Sequence, residues 1–155
     1  MKKIGFTIGK FAPLHKGHQY LIEKALKEMD EFYVIIYKTD VINIPVQVRA
    51  NWIRQLYPSI KILYANNPPK QYGLDNKSIE IQMEYLKNII GNIPFTHFYN
   101  SEEYGKYVAK DLKIKEVQVD KQREINPISG TEIRNNKETQ KEFLDKIVYE
   151  DMKKY

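Results

Sequence analysis

The sequence contains no cysteine. A disulfide framework, a thiolate metal site and a cysteine nucleophile are therefore excluded, and a reducing compartment fits. Long hydrophobic runs are missing too. The longest apolar stretch, Phe32 to Tyr37, falls far short of the ~20 residues a membrane span needs. The N-terminus, Met1-Lys2-Lys3-Ile4-Gly5, leads into a strand-like segment with no signal-peptide core, so a cytoplasmic location is expected. Internal repeats, low-complexity stretches and obvious linkers are absent. What is present is the balance of a soluble globular protein: 155 residues, 42% apolar and 29% charged. That length suits one domain with one real core, here residues 1–155. The formal charge of +5 points to an anionic partner, either nucleic acid or a phosphorylated small molecule.

Short apolar runs alternate with amphipathic helical patterns. The runs are Ile4 to Ile8, Phe32 to Tyr37, Ile60 to Tyr64, Phe95 to Tyr99 and Val117 to Val119. Between them, Ile22, Ala25, Leu26 and Met29 recur at helical spacing, as do Ile79, Met83, Leu86 and Ile90. A third helix is expected from Gln47 to Tyr57, stopped by Pro58, and a shorter one around Tyr104, Tyr107 and Val108. This alternation predicts an α/β fold: a Rossmann-like, doubly wound parallel sheet of about five strands, with C-terminal helices. Ligands of such sheets bind beyond the carboxyl ends of the strands, so the loops after each run are where chemistry is expected. From Asn135 to Tyr155, five lysines and five acidic residues cancel, and one or two solvated helices covering a sheet edge are expected. The excess positive charge belongs to residues 1–134.

The first strand runs into Gly9-Lys10-Phe11-Ala12-Pro13-Leu14-His15-Lys16-Gly17-His18. Gly9 permits a tight turn and close approach of backbone to a ligand. A helix starting near Lys16 offers unpaired N–H groups and a positive dipole end to an anion. His15 and His18, three apart, can face one ligand from the first turn, and Lys10 adds a mobile point charge. A histidine pair could also bind a metal, but no nearby carboxylate or cysteine completes a set, so no protein-held metal is expected. The spacing is not that of a Walker A loop.

Near the other end stands Ile128-Ser129-Gly130-Thr131-Glu132-Ile133-Arg134. Its hydroxyls and amides suit a helix start and can meet phosphate oxygens, with the planar fork of Arg134 one turn in. Alone, the segment is a weak signal that a plain capped helix with a surface arginine explains better. Together the two segments resemble the His-x-Gly-His and Ile-Ser-x-Thr-x-Ile-Arg signatures of the nucleotidylyltransferase superfamily. The Gly-Lys-Phe-x-Pro form of the first resembles the NadR-type and archaeal nicotinamide mononucleotide (NMN) adenylyltransferases. Three further stretches share the likeness: Pro45-Val46-Gln47-Val48-Arg49-Ala50-Asn51-Trp52, Tyr99-Asn100-Ser101-Glu102-Glu103 and Val119-Asp120-Lys121-Gln122-Arg123. The likeness departs at Tyr72-Gly73-Leu74-Asp75-Asn76-Lys77, where Leu74 and Lys77 replace two tryptophans of the family. Nothing of the kinase domain carried by NadR-type proteins is implied.

The resemblance implies transfer of AMP from ATP to a nucleoside monophosphate, with NMN the leading acceptor. NAD and pyrophosphate are the products, and Mg²⁺ arrives with ATP. It assigns the chemistry to Lys10, His15, His18 and Arg134. ATP contacts fall to Gly9, Phe11, Gly17, Tyr99, Asn100, Ser101, Ser129, Gly130 and Thr131. Asp40, Arg49, Tyr72 and Asp75 lie towards the acceptor. Trp52 and His97 read as structural, and Arg49 is equally readable as a helix-surface group. Arg123 is a further cation near a strand end. Related transferases acting on pantetheine phosphate or glycerol phosphate remain alternatives. So does a protein that binds NAD or RNA without turnover, although the twelve tyrosines form no visible stacking platform. A nucleic-acid partner and a membrane are disfavoured, and a homo-oligomer is left open.

Overall fold

The computed structural model describes residues 1–70, 73–102, 105–120 and 123–155. Five parallel strands form one sheet in the order β3-β2-β1-β4-β5. They are β1 (Ile4–Gly9), β2 (Glu31–Tyr37), β3 (Lys61–Ala65), β4 (His97–Asn100) and β5 (Lys115–Gln118). Each expected apolar run contributes a strand, shifted by at most two residues at either end. Helices fill the crossovers: α1 (Lys16–Glu28), α2 (Val46–Leu56), α3 (Asn76–Ile90) and α4 (Gly105–Leu112). Tyr104, expected with α4, lies outside the described residues. Three short helices follow: α5 (Gly130–Asn135), α6 (Lys137–Phe143) and α7 (Lys146–Met152).

The central strands β1, β2 and β4 are buried on both faces, which is why they read as continuous apolar runs. In β2, Phe32, Val34 and Ile36 pack with α1, α2 and the C-terminal helices, while Ile35 packs with α3 and α4. The same alternation divides β4, sending Tyr99 to the α1 face and Phe98 to the other. Helices α1 and α4, which follow adjacent strands β1 and β4, therefore cover opposite faces. The chain diverges between those strands, and the divergence opens a crevice at their carboxyl ends.

The C-terminal tail differs from the expected solvated cover. Leu144 and Val148 are buried in the core beside Trp52, whose indole N–H donates to Asp151 at 2.7 Å. Mixed charge hid this because one apolar residue per turn of a short helix leaves little periodic signal. Trp52 is a core residue, as expected. Among the described residues no helix is long and apolar enough to cross a membrane.

Candidate active site

The loop after β1 is shaped by its own rings and amides. His15 caps α1: its Nδ1 accepts the Gly17 N–H at 3.0 Å, and the His18 Nδ1 accepts the His15 N–H at 3.1 Å. Imidazoles thus perform the reciprocal capping that Ser and Glu usually supply. The two rings stack with centroids 3.7 Å apart, and Phe11 lies against His18 at 4.7 Å. Gly17 is required here, since a Cβ would sit 2.8 Å from Cε1 of His15. Phe11 holds a left-handed backbone with φ of 50°, sustained by a ring that is almost wholly buried.

This arrangement sets the protonation of both histidines. Burial lowers the pKa of His15 to about 4, aided by the nearby charge of Arg123. Burial holds His18 well below its ordinary value, with His15 and Arg123 adding to the effect. Both rings are therefore neutral at pH 7. With Nδ1 accepting, each carries its proton on Nε2, so each is a hydrogen-bond donor without net charge.

The second segment docks on the first. Arg134 donates from Nη1 to the Ala12 carbonyl at 2.8 Å and from Nη2 to Thr131 Oγ1 at 3.2 Å. Ser129 caps α5 by accepting the Glu132 N–H at 3.3 Å. Between β5 and α5, the Asp120 carboxylate accepts the N–H groups of Ile125 and Asn126 at 2.9 and 2.8 Å. Arg123 in the same loop donates to the Ile128 carbonyl at 2.6 Å and meets Glu102 at 3.4 Å.

Together these segments wall a cleft of about 580 Å³. The expected residues Gly9, Lys10, Phe11, His15, Gly17, His18, Asn100, Ser101, Ser129, Gly130, Thr131 and Arg134 all line it. Asn100 is buried, its Oδ1 accepting the Glu102 N–H at 3.0 Å while its amide lies on Gly105. A Cβ at Gly105 would come within 2.1 Å of that amide, so no larger residue fits at the start of α4.

Four expected site residues stand outside the wall. Tyr99 points the other way along β4: its hydroxyl donates to Glu28 at 2.7 Å, its ring meets Phe32 edge-on, and burial pushes its pKa up. Arg49 is buried and acts as a fastener. Its guanidinium donates to the carbonyls of Ile44 at 3.1 Å, Tyr37 at 3.4 Å and Lys10, tying the ends of β1 and β2 together. Asp75 is exposed and caps α3 by accepting the Ser78 N–H at 3.2 Å. Asp40 is exposed on the loop after β2, outside the cleft. A fifth, Tyr72, lies outside the described residues.

Sequence reasoning missed the opposite wall. Pro68, Pro69, Leu74, Ile79, Met83 and Leu86 give it an apolar surface at the start of α3. Their helical spacing marked Ile79, Met83 and Leu86 as core, and no signal showed that the upper end of that stripe opens into the cleft. Lys38, Glu102, Asp120 and Arg123 also line the cleft.

The fold is shared with known proteins, and so is about a third of the sequence. The chain is 31% identical over 154 residues to the trifunctional NAD biosynthesis/regulator protein NadR of Salmonella typhimurium, covering 87% of this chain and 37% of that protein. It thus spans little more than a third of that relative. It is 29% identical to a protein of Nitratiruptor sp. named as a probable nicotinate-nucleotide adenylyltransferase, covering 97% of this chain and 96% of that one. A crystal structure of NadR in complex with NAD and AMP-PNP superposes with a TM-score of 0.61 at 25% identity, over 91% of this chain and 44% of that chain. The model of the cytidylyltransferase-like family matches residues 6–136, most of the length, and the chain belongs to that family.

Proposed function

We propose that the chain is a nucleotide adenylyltransferase of NAD biosynthesis that transfers AMP from ATP to NMN. The observation that carries this reading is the pair of neutral, stacked, Nε2-protonated histidines facing a cleft shared with Arg123 and Arg134. An oxygen of the NMN phosphate attacks the α-phosphorus of ATP. The new P–O bond forms as the bond from the α-phosphorus to the bridging oxygen breaks, and pyrophosphate leaves with that electron pair. The attacking phosphate is already an anion at pH 7, so no general base is needed. Catalysis is then positioning and charge stabilisation.

In this reading His15 and His18 donate from Nε2 to the phosphate oxygens on which charge develops. Because their Nδ1 atoms are held by backbone N–H groups, the donors are preorganised. Lys10 neutralises the transferred or the acceptor phosphate. Ser129, Thr131, the Gly130 amide, Arg123 and Arg134 hold the β- and γ-phosphates, and Asn100 and Ser101 lie towards the nucleoside of ATP. Among the described residues no three His, Asp or Glu side chains stand together as a metal set. Asp120 is committed to two backbone N–H groups and Glu102 faces Arg123. Mg²⁺ is therefore treated as part of the substrate, MgATP, held through nucleotide oxygens.

The wall formed by Leu74, Ile79 and Met83 is apolar, which suits the uncharged carboxamide of NMN better than the carboxylate of its deamidated form. Mass spectrometry of products from ATP or CTP, Mg²⁺ and a mixture of NMN, deamido-NMN, pantetheine phosphate and glycerol phosphate tests the reading. NAD is the expected product. A cytidylyl product, or adenylylation of another acceptor alone, would refute it.

A further inference from the structure

One carboxylate in the cleft has no role in the reaction just described. Glu102 and Asp120 both line a wall otherwise supplied with Lys10, Lys38, Arg123 and Arg134. Asp120 is occupied by the Ile125 and Asn126 amides. Glu102 instead presents Oε1 to Arg123 Nη2 at 3.4 Å, across the gap between the loop after β4 and the loop after β5. Its backbone is fixed by Asn100, whose Oδ1 takes its N–H at 3.0 Å, but its side chain is 60% exposed and can swing away. Arg123 is half committed: Nη1 is held by the Ile128 carbonyl at 2.6 Å, and only Nη2 is turned to the carboxylate. Arg123 is also close enough to His15 and His18 to disfavour their protonation, which places its charge beside the phosphate donors.

We infer that Glu102 is an exchangeable counter-anion: it holds Arg123 until nucleotide binds and then gives up that guanidinium to the incoming polyphosphate. Physical reasons favour the exchange. A clustered set of cations is costly without an anion, and an exposed carboxylate that meets its cation at 3.4 Å is a weak partner. A triphosphate offers Arg123 more charge and a bidentate geometry. The same carboxylate would return to Arg123 as pyrophosphate departs, easing product release. Glu102 is thus a positioning residue that competes with the substrate, not one that binds it. The inference rests on the proposed nucleotide chemistry of the cleft.

The test is calorimetric titration of the wild-type protein and Glu102→Gln with MgATP, magnesium pyrophosphate and adenosine, without acceptor. Exchange predicts that E102Q binds MgATP and pyrophosphate about fivefold more tightly, as expected for removal of an exposed competing ion pair. Adenosine affinity stays unchanged. Adding Arg123→Met should abolish the gain; a gain that survives R123M would mean simple repulsion and would overturn the exchange. Weaker binding of both ATP and adenosine would make Glu102 a ribose ligand and also overturn it. Unchanged affinity for MgATP and pyrophosphate would do the same. Because E102Q alters only an exposed side chain, folding is not at stake. Failure of the wild-type protein to make a dinucleotide from ATP and NMN would sink the acceptor assignment, while these titrations would still report on polyphosphate exchange.

Discussion

The two walls of the cleft are built by different means. The wall made by the loop after β1, the Asp120–Ile128 loop and α5 is polar and cross-tied. Arg134 reaches the Ala12 carbonyl, Arg123 reaches Ile128, and the two histidines cap each other's helix turn. The wall beneath α3 is apolar, with Leu74 more than half exposed, and offers shape rather than aimed donors. A fixed polar wall suits a charged group whose oxygens must be met at set distances. An apolar wall suits a flat aromatic ring and tolerates variation. Leu74 belongs to the apolar wall, while the residues of the two segments that resemble family signatures build the polar one.

The sharpest way to break the contrast is on the polar side. His18→Ala should lower kcat by about 10²–10³, the usual cost of one preorganised donor, with little change in acceptor KM. Steady-state kinetics with both substrates varied would check it, and near-wild-type turnover would contradict the role of His18. Arg134→Ala should weaken ATP binding by about tenfold, the usual cost of removing a charge-assisted hydrogen bond, since its guanidinium is held in the polar wall by Ala12 and Thr131. An unchanged ATP titration would count against that role. On the apolar side the effects should be smaller and confined to the acceptor. Leu74→Ala should raise the KM for NMN by about threefold and leave ATP untouched, because it removes part of one exposed apolar surface. A change in kcat of similar size to that of H18A would show that the two walls are not functionally separate.

A separate expected effect is on stability, through pH, and it too comes from the polar wall. His15 and His18 are neutral when folded and regain an ordinary pKa of 6.5 on unfolding. The unfolded chain therefore binds more protons than the folded one between about pH 4 and 6.5. The stability owed to His15 should fall as pH drops through that window, with His18 acting in the same direction. Urea denaturation at pH 7 and pH 5 should show a lower midpoint at pH 5, and His15→Gln should flatten the difference. Activity should not acquire an acid limb near pH 6.5 from these two groups.

Much of the fold could be read from the chain because the central strands are apolar runs and the crossover helices are amphipathic. The two signature segments were legible for a similar reason: the rings, glycines and arginine that make them sit within a few residues of each other. Tyr99 and Arg49 were not. Tyr99 lies in a strand buried on both faces, so no alternation in the sequence reveals which way its ring points. Arg49 is a buried cation satisfied by the carbonyls of Lys10, Tyr37 and Ile44, and the sequence around it does not distinguish it from a phosphate ligand. Asp75 shows the same ambiguity, because a residue that caps α3 and one that binds a ligand have identical chemistry.

The sequence by itself determined the parallel α/β class, the position of the histidine-bearing loop after β1 and the identity of the charged and imidazole groups around it. Those depend on periodicity and on contacts within one turn. Only the tertiary structure decided that α1 and α4 cover opposite faces and so open the crevice between β1 and β4. It also decided that α3 supplies an apolar wall, that Arg123 lies against Glu102, and that the neutral-charge tail contributes Leu144 and Val148 to the core. Strand order and side-chain direction are set by long-range packing, which no short window of residues records.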